Sequence, residues 1–242
     1  MPLILSIEGW DGGCRVDAWR ICLTVTTDGK DMQIAISGNI GAGKTELTRL
    51  LAKHYGYRAV YGPNDENPYL SSFYEDMRRW SFNMMVHSLC SNIGQMTELK
   101  NSGENFVRDR SLLDDVYVFA PNLQSMGLMT SRDLATYTRL FEITYPLLPQ
   151  PDLLIYLRSD VPTLIRHIQK RGRQVESSIR LDYLTNLNNR YDNWASSYEG
   201  KMLVVDVDEL DFVENREDLG VIINRIDAEF NSLFREPDND GK

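Results

Sequence analysis

Apolar and polar residues alternate along this chain in two rhythms. Short apolar runs at 33–37, 58–61, 105–108, 152–157 and 202–207 have the length and the Val, Ile and Leu content of strands buried on both faces. Between and after them lie longer stretches in which apolar positions return every three to four residues: 44–54, 79–100, 114–125, 131–147, 162–170, 179–197 and 217–234. Strands alternating with helices predict an α/β fold with a five-stranded parallel sheet flanked by helices. No internal repeat or low-complexity linker divides the chain, so 32–235 reads as one domain. An extension, 1–31, precedes it without an assignable role, and the polar tail 236–242 reads as disordered.

One glycine-rich loop stands out. Gly38, Asn39, Ile40, Gly41, Ala42, Gly43, Lys44 and Thr45 (GNIGAGKT) complete the pattern Gly-x4-Gly-Lys-Thr between an apolar strand, MQIAIS, and a helix. The glycines let the backbone turn so that successive N–H groups point into one concavity, and the helix start adds its positive dipole end. Lys44 supplies an ammonium for the β- and γ-phosphates, and Thr45 a hydroxyl for Mg²⁺. The chain is therefore expected to bind a nucleoside triphosphate, but the loop alone does not name the acceptor. A second glycine-rich stretch, LSIEGWDGG (5–13), lacks a following Gly-Lys-Ser/Thr and reads as chance.

Charge and cysteine content narrow the class. The formal net charge of −9 argues against a general binder of nucleic acid or of an anionic membrane. Cys14, Cys22 and Cys90 have no metal-ligand spacing, and an odd count fits reduced thiols better than a disulfide framework. No apolar run reaches bilayer length. The apolar start lacks a basic region and is interrupted by Glu8, while acids through 1–31 argue against a transit peptide. Cytoplasmic residence is the expectation.

Five segments, in order, resemble the deoxynucleoside kinases. GNIGAGKT is similar to that family's phosphate loop, NPYLSSFYEDMRRWSF (67–82) to its substrate-binding helix region, and DRSLLDDVYVFA (109–120) to its Glu/Asp-Arg-Ser motif. KRGRQVESSIRLDYL (170–184) resembles its arginine-bearing lid, and VVDVDELDF (204–212) the segment beside the donor base. The resemblance runs from about residue 32 to 225. It implies a three-layer P-loop nucleoside-kinase fold with a lid, ATP as donor, Mg²⁺ as cofactor and a deoxyribonucleoside phosphorylated on its 5′-hydroxyl. It also implies a homodimer in which the helices at 79–100 and 114–125 pair across a two-fold axis.

The same resemblance distributes roles. Lys44, Asp109, Arg110, Arg171 and Arg173 form the catalytic set, with Thr45 and Asp109 on the metal. The donor meets the loop, Arg171, Arg173, Asp211 and Phe212. The acceptor meets Tyr74, Trp80, Met85, Arg110, Asp115, Phe119 and Asp182, with Tyr74 and Asp182 on the sugar 3′-hydroxyl and Phe119 stacked on the base. Each assignment has a plainer counterpart. Asp109 and Arg110 also read as a surface ion pair, although a carboxylate just beyond a strand sits where α/β sheets place ligands. Arg171 and Arg173 fit a lid over transferring phosphate, or a basic helix end answering its dipole. Trp80 and Phe119 also read as core aromatics.

Several positions depart from the family pattern. Gly62-Pro63 stands where Glu-Pro supplies the proton acceptor, with Asp65 and Glu66 nearby. Met85 replaces a base-reading glutamine, Asn92 an arginine, His167 the first lid arginine, and Asp182 a glutamate. The changes gather in the acceptor half. They fit an enzyme with an unusual acceptor, or a nucleotide-binding, kinase-like interaction protein with weakened catalysis. A nucleoside monophosphate kinase would need further cations for an acceptor phosphate, and His167 does not help there.

Overall fold

The computed structural model describes residues 32–62, 67–172 and 179–233, except for the side chains of 231–233. The expectations for 1–31, Pro63, Asp65, Glu66, Arg173 and 236–242 lie outside the described residues. Five strands, β1 (Gln33–Gly38), β2 (Arg58–Val60), β3 (Phe106–Asp109), β4 (Leu153–Arg158) and β5 (Met202–Asp206), form one parallel sheet in the order β2-β3-β1-β4-β5. With β1 central, the chain crosses first to one side and then to the other. That switch opens a crevice at the carboxyl ends of β1 and β3.

The helices are α1 (Lys44–Tyr55), α2 (Leu70–Glu75), α3 (Met77–Ser102), α4 (Leu112–Asp114), α5 (Ala120–Ser125), α6 (Ser131–Thr144), α7 (Val161–Arg171), α8 (Leu181–Ser197) and α9 (Arg216–Leu233). Strand alternation sorts them into two outer layers. Ala35, Phe106, Leu154 and Tyr156 share a core with Met85, Leu89, Phe141, Leu187 and Tyr191 of α3, α6 and α8. Ile34, Ile36, Val107, Leu153 and Ile155 share the other with Leu47, Leu51, Leu164, Ile222 and Ile226 of α1, α7 and α9. Burial on both faces explains why β1 and β4 read as nearly continuous apolar runs.

Two helical expectations change in detail, and one short helix was not expected. The short α2 went unread; Asp76, whose backbone leaves helical geometry, separates it from α3, and the Asp76 carboxylate caps α3 by accepting from the Arg79 N–H at 3.1 Å. The expected helix at 114–125 is not one α-helix. Asp115–Phe119 form a π-helical turn between α4 and α5, with the Ala120 N–H donating to the Asp115 carbonyl. Pro121 brings no N–H to the Tyr117 carbonyl, so the regular ladder cannot run through here. The stretch at 131–147 leaves α geometry after Thr144 and tightens into a 3₁₀ turn, Tyr145–Leu147, around Pro146.

Candidate active site

The loop after β1 is clamped from several sides. Gly41 has φ 90°, and a Cβ there would lie 2.7 Å from the Leu164 carbonyl oxygen of α7. Gly43 has φ 93°, and a Cβ there would lie 2.9 Å from Cζ of Phe212. Both positions therefore need glycine for conformation and for space. Asn39 is an anchor: its Oδ1 accepts from the Ile40 N–H at 2.8 Å, while its Nδ2 donates to the Leu184 carbonyl and to Asn188 Oδ1 on α8 at 3.1 and 3.0 Å. Lys44 Nζ donates to the carbonyls of Gly38 and Asn39, both at 2.9 Å. Burial pulls this ammonium down to about 8, with Asp109 pulling the other way.

Asp109, the last residue of β3, stands beside Ile36 in register and points to the α1 side of the sheet. Its Oδ2 accepts from Thr45 Oγ1 at 2.5 Å. These are hard oxygen donors, and no group of three or more His, Cys, Asp or Glu side chains fit for a metal occurs among the described residues. Such a set suits Mg²⁺, which takes few protein ligands and draws the rest from phosphate and water.

A cavity of about 250 Å³ opens beside this pair. Gly41, Lys44, Thr45, Asp109, Arg110 and Arg171 line it together with Tyr61, Gly62, Tyr74, Met85, Ser88, Asp115, Phe119 and Tyr183. Arg110, at φ 73°, is the one non-glycine residue among those described with positive φ. Its Nη2 donates to Asp115 Oδ1 at 2.6 Å, and its guanidinium carbon lies 3.8 Å from the Phe119 ring centre. The π-helical turn presents Asp115 and Phe119 to the same arginine, so charge pairing and a cation–π contact fix one wall.

Beneath the loop is a carboxylate that sequence reasoning missed. Asp114 is fully buried; its Oδ1 accepts from Ser37 Oγ at 2.5 Å and its Oδ2 from the Tyr191 hydroxyl at 3.0 Å. It joins the end of β1 to α8. Burial pushes it up to about 7, with the Ser37 hydrogen bond, Arg110 and Lys44 opposing. Its neighbours in sequence carry a motif, but nothing local marks Asp114 itself.

Some expected site residues stand elsewhere. Trp80 is absent from the cavity wall; its ring packs 5.7 Å from that of Tyr69, with the Arg79 guanidinium 4.4 Å above it. Asp182 is also outside the wall, paired with Arg180 at 3.0 and 2.6 Å in the first turn of α8, where an acid suits the helix dipole. Tyr183, its neighbour, lines the cavity instead. Asp211 shapes the turn into α9 by accepting from the Glu214 N–H at 3.1 Å, while Phe212 packs against Gly43. At the departures, Gly62 presents bare backbone to the cavity and Asn92 accepts from Arg108 Nη2 at 2.6 Å.

A glycine-rich loop on a central parallel strand, a carboxylate ending the next strand and an arginine-lined cavity define a P-loop phosphotransferase architecture. The chain belongs to the deoxynucleoside kinase family: residues 34–231 match the family model described as deoxynucleoside kinase. It is 34% identical over 200 residues to the deoxyadenosine/deoxycytidine kinase of Bacillus subtilis (strain 168), covering 81% of this chain and 92% of that one. It is 32% identical over 211 residues to the deoxyadenosine kinase of Lactobacillus acidophilus, covering 83% and 97%. Among solved structures, the deoxyadenosine kinase from M. mycoides with the products dCMP and a flexible dCDP aligns with TM-score 0.73 at 32% identity, over 81% of this chain and 100% of that one. Phosphoryl transfer to a deoxynucleoside is the activity that this membership assigns.

Proposed function

We propose that the chain transfers the γ-phosphoryl group of ATP to the 5′-hydroxyl of a deoxyribonucleoside, with Lys44, Asp109, Arg110, Arg171 and Arg173 as the catalytic set. The observation that carries this reading is the contact of Thr45 Oγ1 with Asp109 Oδ2, which joins the phosphate loop to the cavity walled by Arg110, Asp115 and Phe119. Thr45 and Asp109 would hold Mg²⁺, which when bound supplies charge neutralisation at the phosphates. Lys44 exchanges the neutral carbonyls of Gly38 and Asn39 for phosphate oxygens when the donor binds. Arg171 and, beyond it in sequence, Arg173 would add guanidinium charge to neutralise the oxygens of the transferring phosphoryl group.

For the acceptor, Phe119 offers a face for a base and Tyr74 a hydroxyl for the sugar. The Asp115 carboxylate accepts hydrogen bonds only, so it suits a base with an N–H edge, whereas the Met85 thioether reads none. Every nucleobase carries such an edge, so Asp115 would orient a base without by itself choosing among them. We place the activity in the cytoplasm and in a homodimer. The dimer is supported by apolar side chains left exposed around the π-helical turn and α6. A second reading, nucleotide binding without transfer, draws on Gly62 and Met85. Incubating the protein with ATP, Mg²⁺ and a panel of deoxynucleosides and deoxynucleotides, then separating the products by mass, decides between them. A 5′-monophosphate product is expected; a protein that binds ATP and phosphorylates no panel member overturns the proposal.

A further inference from the structure

Strand β3 places an arginine in an apolar row. Across the sheet, Val60, Arg108, Ala35, Leu154 and Met202 stand in register, and Val60, Ala35 and Leu154 belong to the core covered by α3 and α8. Arg108 is only 3% exposed. A guanidinium there is unfavourable unless its N–H groups find acceptors, and an aliphatic side chain would serve packing better. Its acceptors among the described residues are all neutral. Nε donates to the Arg110 carbonyl at 2.9 Å, Nη2 to Asn92 Oδ1 at 2.6 Å, and Nη1 more loosely to Gln95 Oε1 at 3.4 Å. Gln95 in turn donates to the Tyr61 carbonyl at 3.0 Å.

Two facts connect this group to the acceptor cavity. Arg110, whose carbonyl it holds, has the positive φ noted above, a conformation that persists only when its surroundings enforce it. Tyr61 and Gly62 form another edge of the same cavity. Arg108 itself does not line the cavity, so any effect on bound molecules runs through its neighbours.

We propose that Arg108 is a positioning residue of the acceptor site: it holds Arg110 in the left-handed conformation that lays its guanidinium over Phe119 and onto Asp115, and ties that turn through Gln95 to the Tyr61–Gly62 edge. The inference rests on the kinase reading above. The fork of the arginine is essential to it, since a lysine ammonium on a single stem cannot span the three acceptors in the same geometry.

The test measures thermal midpoint, steady-state kinetics for donor and acceptor separately, and calorimetric binding of the deoxynucleosides, in four proteins: wild type, Arg108→Lys, Arg108→Met, and Arg108→Met combined with Asn92→Leu. The double variant removes both the charge and its amide partner, so its thermal midpoint should recover relative to Arg108→Met. If Arg108 positions the acceptor site, kcat/KM for the deoxynucleoside falls about 10–100-fold in all three variants, because a displacement of about 1 Å costs that much. KM for ATP stays near the wild-type value. A folded double variant or Arg108→Lys protein with wild-type acceptor kinetics overturns the inference. So does an equal loss in donor and acceptor parameters, which signals general damage. A wild-type protein that neither phosphorylates nor binds any deoxynucleoside instead rejects the kinase reading, and this inference with it.

Discussion

His167 Nδ1 lies 2.9 Å from the carbonyl oxygen of Gly41, so helix α7 holds the phosphate loop by its backbone. The carbonyl can only accept, which assigns the proton to Nδ1. The same glycine sits against the Leu164 carbonyl one turn earlier on α7. His167→Ala should release this grip and weaken ATP affinity about fivefold, the value of one net hydrogen bond of about 1 kcal/mol. Titration calorimetry with ATP and Mg²⁺ checks it; unchanged affinity would show that the contact does not shape the loop.

Asp114 predicts a pH dependence of stability. Burial raises it from its ordinary 3.8 to about 7, so between those values the folded protein keeps a proton that the unfolded chain releases. Its contribution is therefore full below the unfolded value and is lost as pH rises through the folded one. Asp114→Asn removes this titration beside Lys44, Arg108, Arg110, Asp115 and Tyr191. The decline in thermal midpoint from about pH 4 to 7 should be shallower in the variant. Identical slopes would locate the proton elsewhere.

Lys44 predicts a pH dependence of donor binding. Its ammonium is lowered to about 8 in the free protein, and bound phosphate favours the charged form. The dissociation constant for ATP should rise as pH passes 8, by at most about tenfold per pH unit. Lys44→Arg should bind more weakly but without this rise, because a guanidinium keeps its charge. A wild-type profile flat from pH 7 to 9 counts against the assignment.

Gly62 brings no side chain, and so no carboxylate of its own, to the cavity edge. Phosphoryl transfer through a loose transition state depends mainly on positioning and charge, so turnover should be slow rather than abolished. Gly62→Glu should raise kcat toward the benefit of a general base, about 10²–10⁴-fold. Asp109→Asn should sharply lower kcat, since it removes the charge beside Thr45 Oγ1. A Gly62→Glu enzyme no faster than wild type would exclude a vacancy at this position as the defect.

Assembly is open to a direct measurement. Tyr117 and Ile143 are 52% and 55% exposed, with Leu140 and Leu147 also exposed, and the Tyr117 ring meets that of Phe141 on α6 at 6.5 Å. Light scattering at micromolar concentration should give twice the chain mass, and Ile143→Asp should reduce it to one. A monomeric wild type removes the dimer from the proposal.

What was legible in the sequence divides by range. Strands buried on both faces are written as local runs, and the loop from Gly38 to Thr45 carries its function within eight consecutive residues, so both could be read directly. The departures at Met85, Asn92 and His167 were visible as residues, but their partners were not. Asn92 meets Arg108 across 16 residues, Ser37 meets Asp114 across 77, and His167 meets Gly41 across 126. Trp80 and Asp182 are a different case. They lie within segments that resemble substrate-binding motifs, yet packing on Tyr69 and pairing with Arg180 engage them outside the cavity wall.

The π-helical turn at Asp115–Phe119 makes part of the active-site wall sensitive to chain length as well as to side chains. Deleting one residue there, such as exposed Tyr117, would bring Asp115 and Phe119 from four residues apart to three and so change their spacing along one helix face. The charge pair of Asp115 with Arg110 and the seat of that guanidinium over Phe119 would both have to re-form at the new spacing. Single-residue insertion and deletion thus become a way to remodel acceptor choice in this scaffold, reaching arrangements that no point substitution produces.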